Sequence, residues 1–415
     1  MRISQLVITS LLSLIAVSAH ANNWYDRGNA GFALFCTGKA PIVLDLYEVS
    51  TRDLGSILYS KAVTPVDKAV DLATRLEQVD PARARQYREG AKDFMASAQF
   101  VNDLGIRQTP DLGLVTVPKD CTLEQVVFQR NPSILNKARY VVNANLWNQL
   151  DADNQAALIL HEVIYREVIN STANELFSER VRLFNGIIHA HHMRSLMKKD
   201  YLKMLRELHL TTYEENGLKL SLGYTTPEGF WVDSDVFMDL MGRILSASLA
   251  ANQYFGYGGM EYACVGSTVP EMGRVTLEDG NIRTLRVNPD FARDGACNLP
   301  MLIIPESNGF AIFGSLWFFD GAKNVIRVDG TLSKKTQLTY KGTTYELVPD
   351  LFKTDVYNTT FTFDKNMNLT EVGLGGTPCL NKTEGKIQFI QNLANGEGSV
   401  TISASGTPQS VPACH

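Results

Sequence analysis

Ala156-Ala157-Leu158-Ile159-Leu160-His161-Glu162-Val163-Ile164-Tyr165-Arg166-Glu167 is the stretch on which the reading of this chain turns. It is apolar almost all round, the pattern of a helix buried on every side. Asp151, just upstream, fits an N-cap, with Asn154 and Gln155 in the first turn. The spacing predicts one continuous helix over Asp151–Ile169 with His161 and Glu162 inside the protein. His161-Glu162 is the first half of H-E-x-x-H, in which two His bind zinc and the Glu activates water. Here the fourth residue after His161 is Tyr165, not His.

Burying a His and a Glu among Leu and Ile is costly unless each has a partner. Two readings follow. In one, the pair belongs to a structural hydrogen-bond network with Arg166, Tyr165 or a residue of the next helix. In the other, His161 is a metal ligand and Glu162 a general base. A catalytic zinc needs about three protein ligands and an open position. The following segment offers Glu179, His189 and His192 as candidate ligands, Glu179 lying 18 residues after His161. Against this, His191 and His192 run into Arg194, Lys198 and Lys199, which reads as solvated surface. The incomplete motif favours the structural network, with zinc as the alternative cofactor.

Other chemistries find little support. There is no G-x-S-x-G elbow, and Gly256-Tyr257-Gly258-Gly259 lacks the Lys of a phosphate loop and reads as a joint. The Arg180–Arg206 run is basic, the usual sign of a solvated helix face. The formal net charge of −5 argues against nucleic acid as a partner.

The N-terminus reads as a secretory signal over residues 1–21. Arg2 is followed by the apolar Leu6–Val17 and the small-x-small Ala19-His20-Ala21. The expected location is therefore periplasmic or extracellular, with no membrane span. In such a compartment the six cysteines are expected to pair. The sequential pairing keeps each bridge in one region: Cys36–Cys121, Cys264–Cys297 and Cys379–Cys414.

The chain is expected to be α+β in two domains. Residues 22–215 form a helical α+β domain and 216–415 an antiparallel, mainly β domain. In the first, strands over Phe32–Phe35 and Ile42–Leu46 flank a turn, and helical spacing runs from Val63 to Phe100, with Pro81 after Asp80 marking a helix start. Strands follow over Leu112–Val117 and Arg139–Val142, then helices over Asp151–Ile169, Ala173–Lys199 and Tyr201–Leu210. After a short helix at Asp235–Ala251, apolar runs recur at roughly ten-residue intervals, as in a sandwich or barrel.

Two stretches carry a resemblance. One is Arg27-Gly28-Asn29-Ala30-Gly31 with the strand after it, Cys36 and Leu44-Asp45-Leu46-Tyr47-Glu48. The other runs from Asn145-Leu146-Trp147 through Asp151 to His161-Glu162 and Tyr165-Arg166-Glu167. Over roughly Asn22–Leu196 the chain resembles a group of exported, uncharacterised proteins of predatory Gram-negative bacteria. The resemblance implies export and a shared α/β domain, and it brings no activity with it. The looser likeness to zinc metallopeptidases rests on Leu160-His161-Glu162.

Three functions remain open: a non-catalytic binding protein contacting an envelope polymer or protein through its β domain, a structural or assembly factor, and a zincin-like hydrolase using His161 and Glu162.

Overall fold

The computed structural model describes residues 31–102, 117–129, 138–171, 178–226, 230–250 and the strand segments between 253 and 404. The expected signal segment and the bulk of the Leu112–Val117 strand lie outside them. The chain forms two compact units, Met1–Leu210 and Thr211–His415. The class is α+β, with helices in the first unit and antiparallel sheets in the second.

Among its described residues the first unit has seven helices: α1 (Leu44–Thr51), α2 (Pro65–Thr74), α3 (Pro81–Phe94), α4 (Ala144–Trp147), α5 (Ala152–Ser171), α6 (Glu179–His189) and α7 (Lys198–Glu207). Local chemistry starts several of them. The Thr64 side chain accepts from Asp67 N ahead of α2, and Asp80 accepts from Arg83 N ahead of α3, each with Pro at the first position. Asp151 Oδ1 accepts from Asn154 N at 2.9 Å and opens α5.

Two small sheets accompany the helices. One has β1 (Phe32–Cys36) between β2 (Ile42–Val43) and β4 (Cys121–Gln125). In the other, β6 (Tyr140–Asn143) lies between β3 (Ala98–Val101) and β5 (Val127–Gln129). Cys36 stands opposite Cys121 in the β1–β4 register, and the two form a disulfide, as the sequential pairing expected. The other expected pairs involve Cys297 and Cys414, outside the described residues.

Two elements differ from the sequence reading here. The strand expected over Ile42–Leu46 stops at Val43, and α1 begins at Leu44. Val43 N donates to Asn154 Oδ1 of α5 at 2.7 Å, and the turn into helix carries Asp45 into the core. The single helix expected over Ala173–Lys199 is broken. Ala190 is extended, at φ −77 and ψ 150, and bridges Ile57, so α6 ends at His189 and α7 starts at Lys198.

The second unit opens with a hairpin of Thr212–Glu215 and Leu218–Ser221. Its largest sheet has nine strands, among them Val236–Met238, Ile244–Ser248, Gly273–Glu278 and Asn281–Val287 in that order. A five-stranded sheet includes Thr336–Tyr340, Thr343–Val348 and Gly396–Ala404. The apolar runs after Met301 coincide with strands such as Ala311–Phe319, Val325–Leu332 and Thr359–Phe363. Asp235–Ala251, expected as a helix, is found as the antiparallel pair Val236–Met238 and Ile244–Ser248, and the strands before Met301, such as Leu218–Ser221 and Gly273–Glu278, were not anticipated. Asp239 Oδ1 accepts from the backbone of both Met241 and Arg243, and Gly242 takes φ +77, so the chain reverses there.

The Cys36–Cys121 bridge closes a separation of 85 residues. Loop entropy over that length is worth about 4–5 kcal/mol. Replacing both cysteines by Ser should lower unfolding free energy by about that much in urea titration. A loss under about 1 kcal/mol contradicts this account of the bridge.

Candidate functional site

The chemistry of the His-Glu pair depends on what surrounds it. His161 and Glu162 sit midway along α5, and both are 0% exposed. His161 Nδ1 lies 2.8 Å from Asp45 Oδ2 of α1. Asn185 of α6 donates from Nδ2 to the same oxygen at 2.7 Å and to Ala157 O at 2.9 Å. Glu162 Oε1 accepts from Gly31 N at 2.9 Å, and Gln129 Nε2 donates to the Glu162 carbonyl at 2.5 Å. Alongside, fully buried Arg182 pairs with Glu48 Oε1 at 3.1 Å and donates to Ser178 Oγ. The partner expected for Glu162, Arg166, is replaced by the Gly31 amide.

Further along α5, Glu167 accepts from Arg83 at 3.1–3.2 Å and from Tyr87 OH at 2.5 Å. Arg83 also meets Asp80 and Tyr201 OH. The polar groups on α5 thus reach its neighbours α1, α3 and α6 and the segment before β1.

Electrostatics follow burial. Burial pushes the His161 ring toward neutrality, but Asp45, with Glu162 adding to it, outweighs this and holds the imidazole above its ordinary range. Burial likewise opposes ionisation of Asp45, but His161, Asn185 and Arg182 prevail and hold that carboxyl below the usual range. Burial pushes Glu162 up against the pull of His161 and its hydrogen bonds. His189 has no carboxylate on its ring, and burial takes it down to about 4.

The candidate ligands separate. Glu179 is 44% exposed and pairs with Arg52 at 3.2 Å. His189 is buried, and its Nδ1 donates to Asn185 O at 2.9 Å, so Asp45 and Asn185 stand between it and His161 in the polar chain. The His192 side chain lies outside the described residues. Among the described residues, no three His, Cys, Asp or Glu are grouped so as to hold a metal ion. Several buried atoms make no hydrogen bond among the described residues: His161 Nε2, Glu162 Oε2, Asp45 Oδ1, Asn185 Oδ1 and His189 Nε2.

That Asp45, Gly31 and Asn154 are partners of this core was not read from the sequence. Asp45 had a signal, as the one charge inside Ile42-Val43-Leu44-Asp45-Leu46. Arg182 was read as part of a solvated basic face and is 1% exposed, because Glu48 draws it inward.

An open groove of about 710 Å³ lies elsewhere in this unit. Leu54, Leu183, Ile187, His191, Asp200 and Met204 are among its lining residues, and neither His161 nor Glu162 is. Both units expose large apolar side chains: Tyr59, Val63, Met95, Phe100 and Met197 in the first, and in the second Phe230 (70%) and the neighbouring Phe237 (50%), Leu240 (106%), Met241 (82%) and Leu245 (46%). Comparison with protein-family models, with curated proteins and with solved structures found no match.

Two predictions follow from this geometry. A Cβ on Gly31 would lie 2.4 Å from Leu158 Cδ2 and 3.2 Å from Glu162 Oε1. Gly31→Ala should therefore destabilise by about 1–3 kcal/mol, through overpacking of the segment that carries the amide. An unchanged melting temperature refutes this contact. For His189, the folded value near 4 lies below the unfolded one. Its contribution is complete above about pH 6.5 and is lost as pH falls toward 4, an effect of about 3 kcal/mol. His189→Asn should lose less stability than wild type between pH 7 and pH 4.5 in paired urea titrations. Parallel losses contradict the assignment.

Proposed function

We propose that this chain is an exported, non-catalytic binding protein of the envelope or extracellular space. The first unit is its scaffold and the β unit its contact-making part. The observation that carries this reading is the complete burial of His161 and Glu162. A general base must come within hydrogen-bond reach of water and substrate. Here the Glu162 carboxylate faces the Gly31 amide, the His161 ring faces Asp45, and the groove of the same unit is lined by other residues. Charged groups so enclosed order a core. The exposed apolar residues grouped on the Val236–Ser248 hairpin favour binding over a purely structural role, since clustered exposed hydrophobics mark interaction surfaces. The Cys36–Cys121 disulfide agrees with an oxidising compartment. Among the described residues no helix is long and apolar enough to cross a membrane.

A second reading, a zincin-like hydrolase with His161 as ligand and Glu162 as base, draws on one observation. His161 Nε2 and Glu162 Oε2 are buried without a hydrogen-bond partner. An ion there would need further ligands from outside the described residues.

Glu162 substitutions separate the two. Glu162→Ala removes the acceptor of the Gly31 amide and should cost about 1–3 kcal/mol. Glu162→Gln keeps an oxygen there and should cost less. EDTA should leave the wild-type melting temperature unchanged. A hydrolase predicts the reverse: both variants fold normally, and EDTA lowers the melting temperature by removing a ligand of the native state.

A further inference from the structure

We propose that the Val236–Ser248 hairpin inserts its tip into the surface of a zwitterionic phospholipid bilayer. This rests on the reading of the β unit as the contact-making part and names what it contacts.

At the apex, Leu240 and Met241 are adjacent and project fully, at 106% and 82% exposure. Phe237 and Leu245, on the two arms behind them, are each about half exposed. Four of the five amides from Asp239 to Arg243 are bonded within the turn. Asp239 N donates to Arg243 O and Gly242 N to Asp239 O, while Met241 N and Arg243 N both donate to Asp239 Oδ1. A turn that bonds most of its own amides leaves water at less cost than an open loop does. Two neighbouring apolar side chains on a turn present no single face for a shaped protein pocket. A fluid hydrocarbon layer accommodates both.

The charges behind the tip choose the kind of surface. Arg243 Nε bonds Asp239 Oδ2 at 2.7 Å, and its Nη1 bonds Asp279 Oδ1 at 3.0 Å. Arg283 pairs with Glu278, and the Arg274 guanidinium lies 4.8 Å from the Phe237 ring centre. Asp239, Glu278 and Asp279 thus stand with Arg243, Arg274 and Arg283 in a collar of mixed sign, and Asp235 is exposed at the start of the first arm. Zwitterionic headgroups carry a phosphate for the arginines and an ammonium for the carboxylates. An anionic surface would call for an unbalanced basic patch, and this collar has none.

The test is co-sedimentation of the full chain with phosphatidylcholine vesicles, in 0.1 M and 0.5 M salt. Wild type should pellet with them at both salt concentrations. Leu240→Ser/Met241→Ser, which changes two largely exposed side chains, should keep the wild-type melting temperature and partition at least tenfold less. As a second readout, Leu240→Trp fluorescence should shift to the blue when vesicles are added. The proposal is overturned if wild type does not pellet, if the double variant pellets as well as wild type, or if the Leu240→Trp emission does not move. It is also overturned if binding needs phosphatidylglycerol in the vesicles and vanishes at 0.5 M salt, which would assign contact to charge. Self-association lost in the double variant without vesicle binding would identify a protein-facing patch and likewise sink it. Vesicle failure with EDTA-insensitive stability removes the bilayer alone. EDTA-sensitive stability would remove the non-catalytic reading itself.

Discussion

The buried contact between Asp45 and His161 is the constraint on which the first unit depends. Two ionisable groups at 0% exposure are tolerable only if each offsets the other's loss of water. Satisfying them dictates much of the surrounding structure. The chain must leave β2 after Val43 and turn at once into α1, or Asp45 would not reach α5. Asn185 must face inward from α6 to occupy the same carboxylate oxygen. Glu48, one turn further along α1, then lies beside Arg182, one turn before Asn185 on α6. Three helices are registered by side chains that could not be shifted by a turn without leaving a buried charge alone. Such a network contributes more to the uniqueness of the packing than to its net stability.

Glu162 extends the same logic to the start of the first unit's described chain. Its carboxylate holds the amide of Gly31, whose carbonyl accepts from Val126 and Val127. The glycine leaves just enough room for Leu158. One carboxylate therefore joins α5 to both segments that flank it. A catalytic Glu would be free to receive a proton from water. In Glu162, Oε1 takes the Gly31 amide while Oε2 makes no hydrogen bond among the described residues, and the groove beside Leu54 and Leu183 is lined by other residues. On the proposed reading, recognition falls to the β unit, where Leu240 and Met241 stand in solvent on a turn.

Legibility in the sequence tracked how local each signal was. Asp80-Pro81 and Asp151 announced α3 and α5 because a cap acts within one turn. Strand positions after Met301 were readable from short apolar runs and turn residues. Leu44-Asp45-Leu46 alternates like a strand and became helix because a distant Asn154 ends β2 and a distant His161 draws Asp45 inward. The segment 235–251 failed for the opposite reason. Phe237, Leu240, Met241, Ile244 and Leu245 recur at helical spacing, yet most of them are exposed on a hairpin rather than aligned on a buried stripe. The His-Glu pair was legible as buried chemistry. Its partners, Asp45 and Gly31, were not, because they are 116 and 131 residues away.

Native-state hydrogen exchange at the Gly31 amide tests the central claim most directly. If its bond to Glu162 ties this segment to the core, the amide should exchange only through the opening that exposes Leu158–Val163, with the same free energy. Exchange orders of magnitude faster than those helix amides would mean that Glu162 is free of Gly31, and would return it to the list of groups able to act on a substrate.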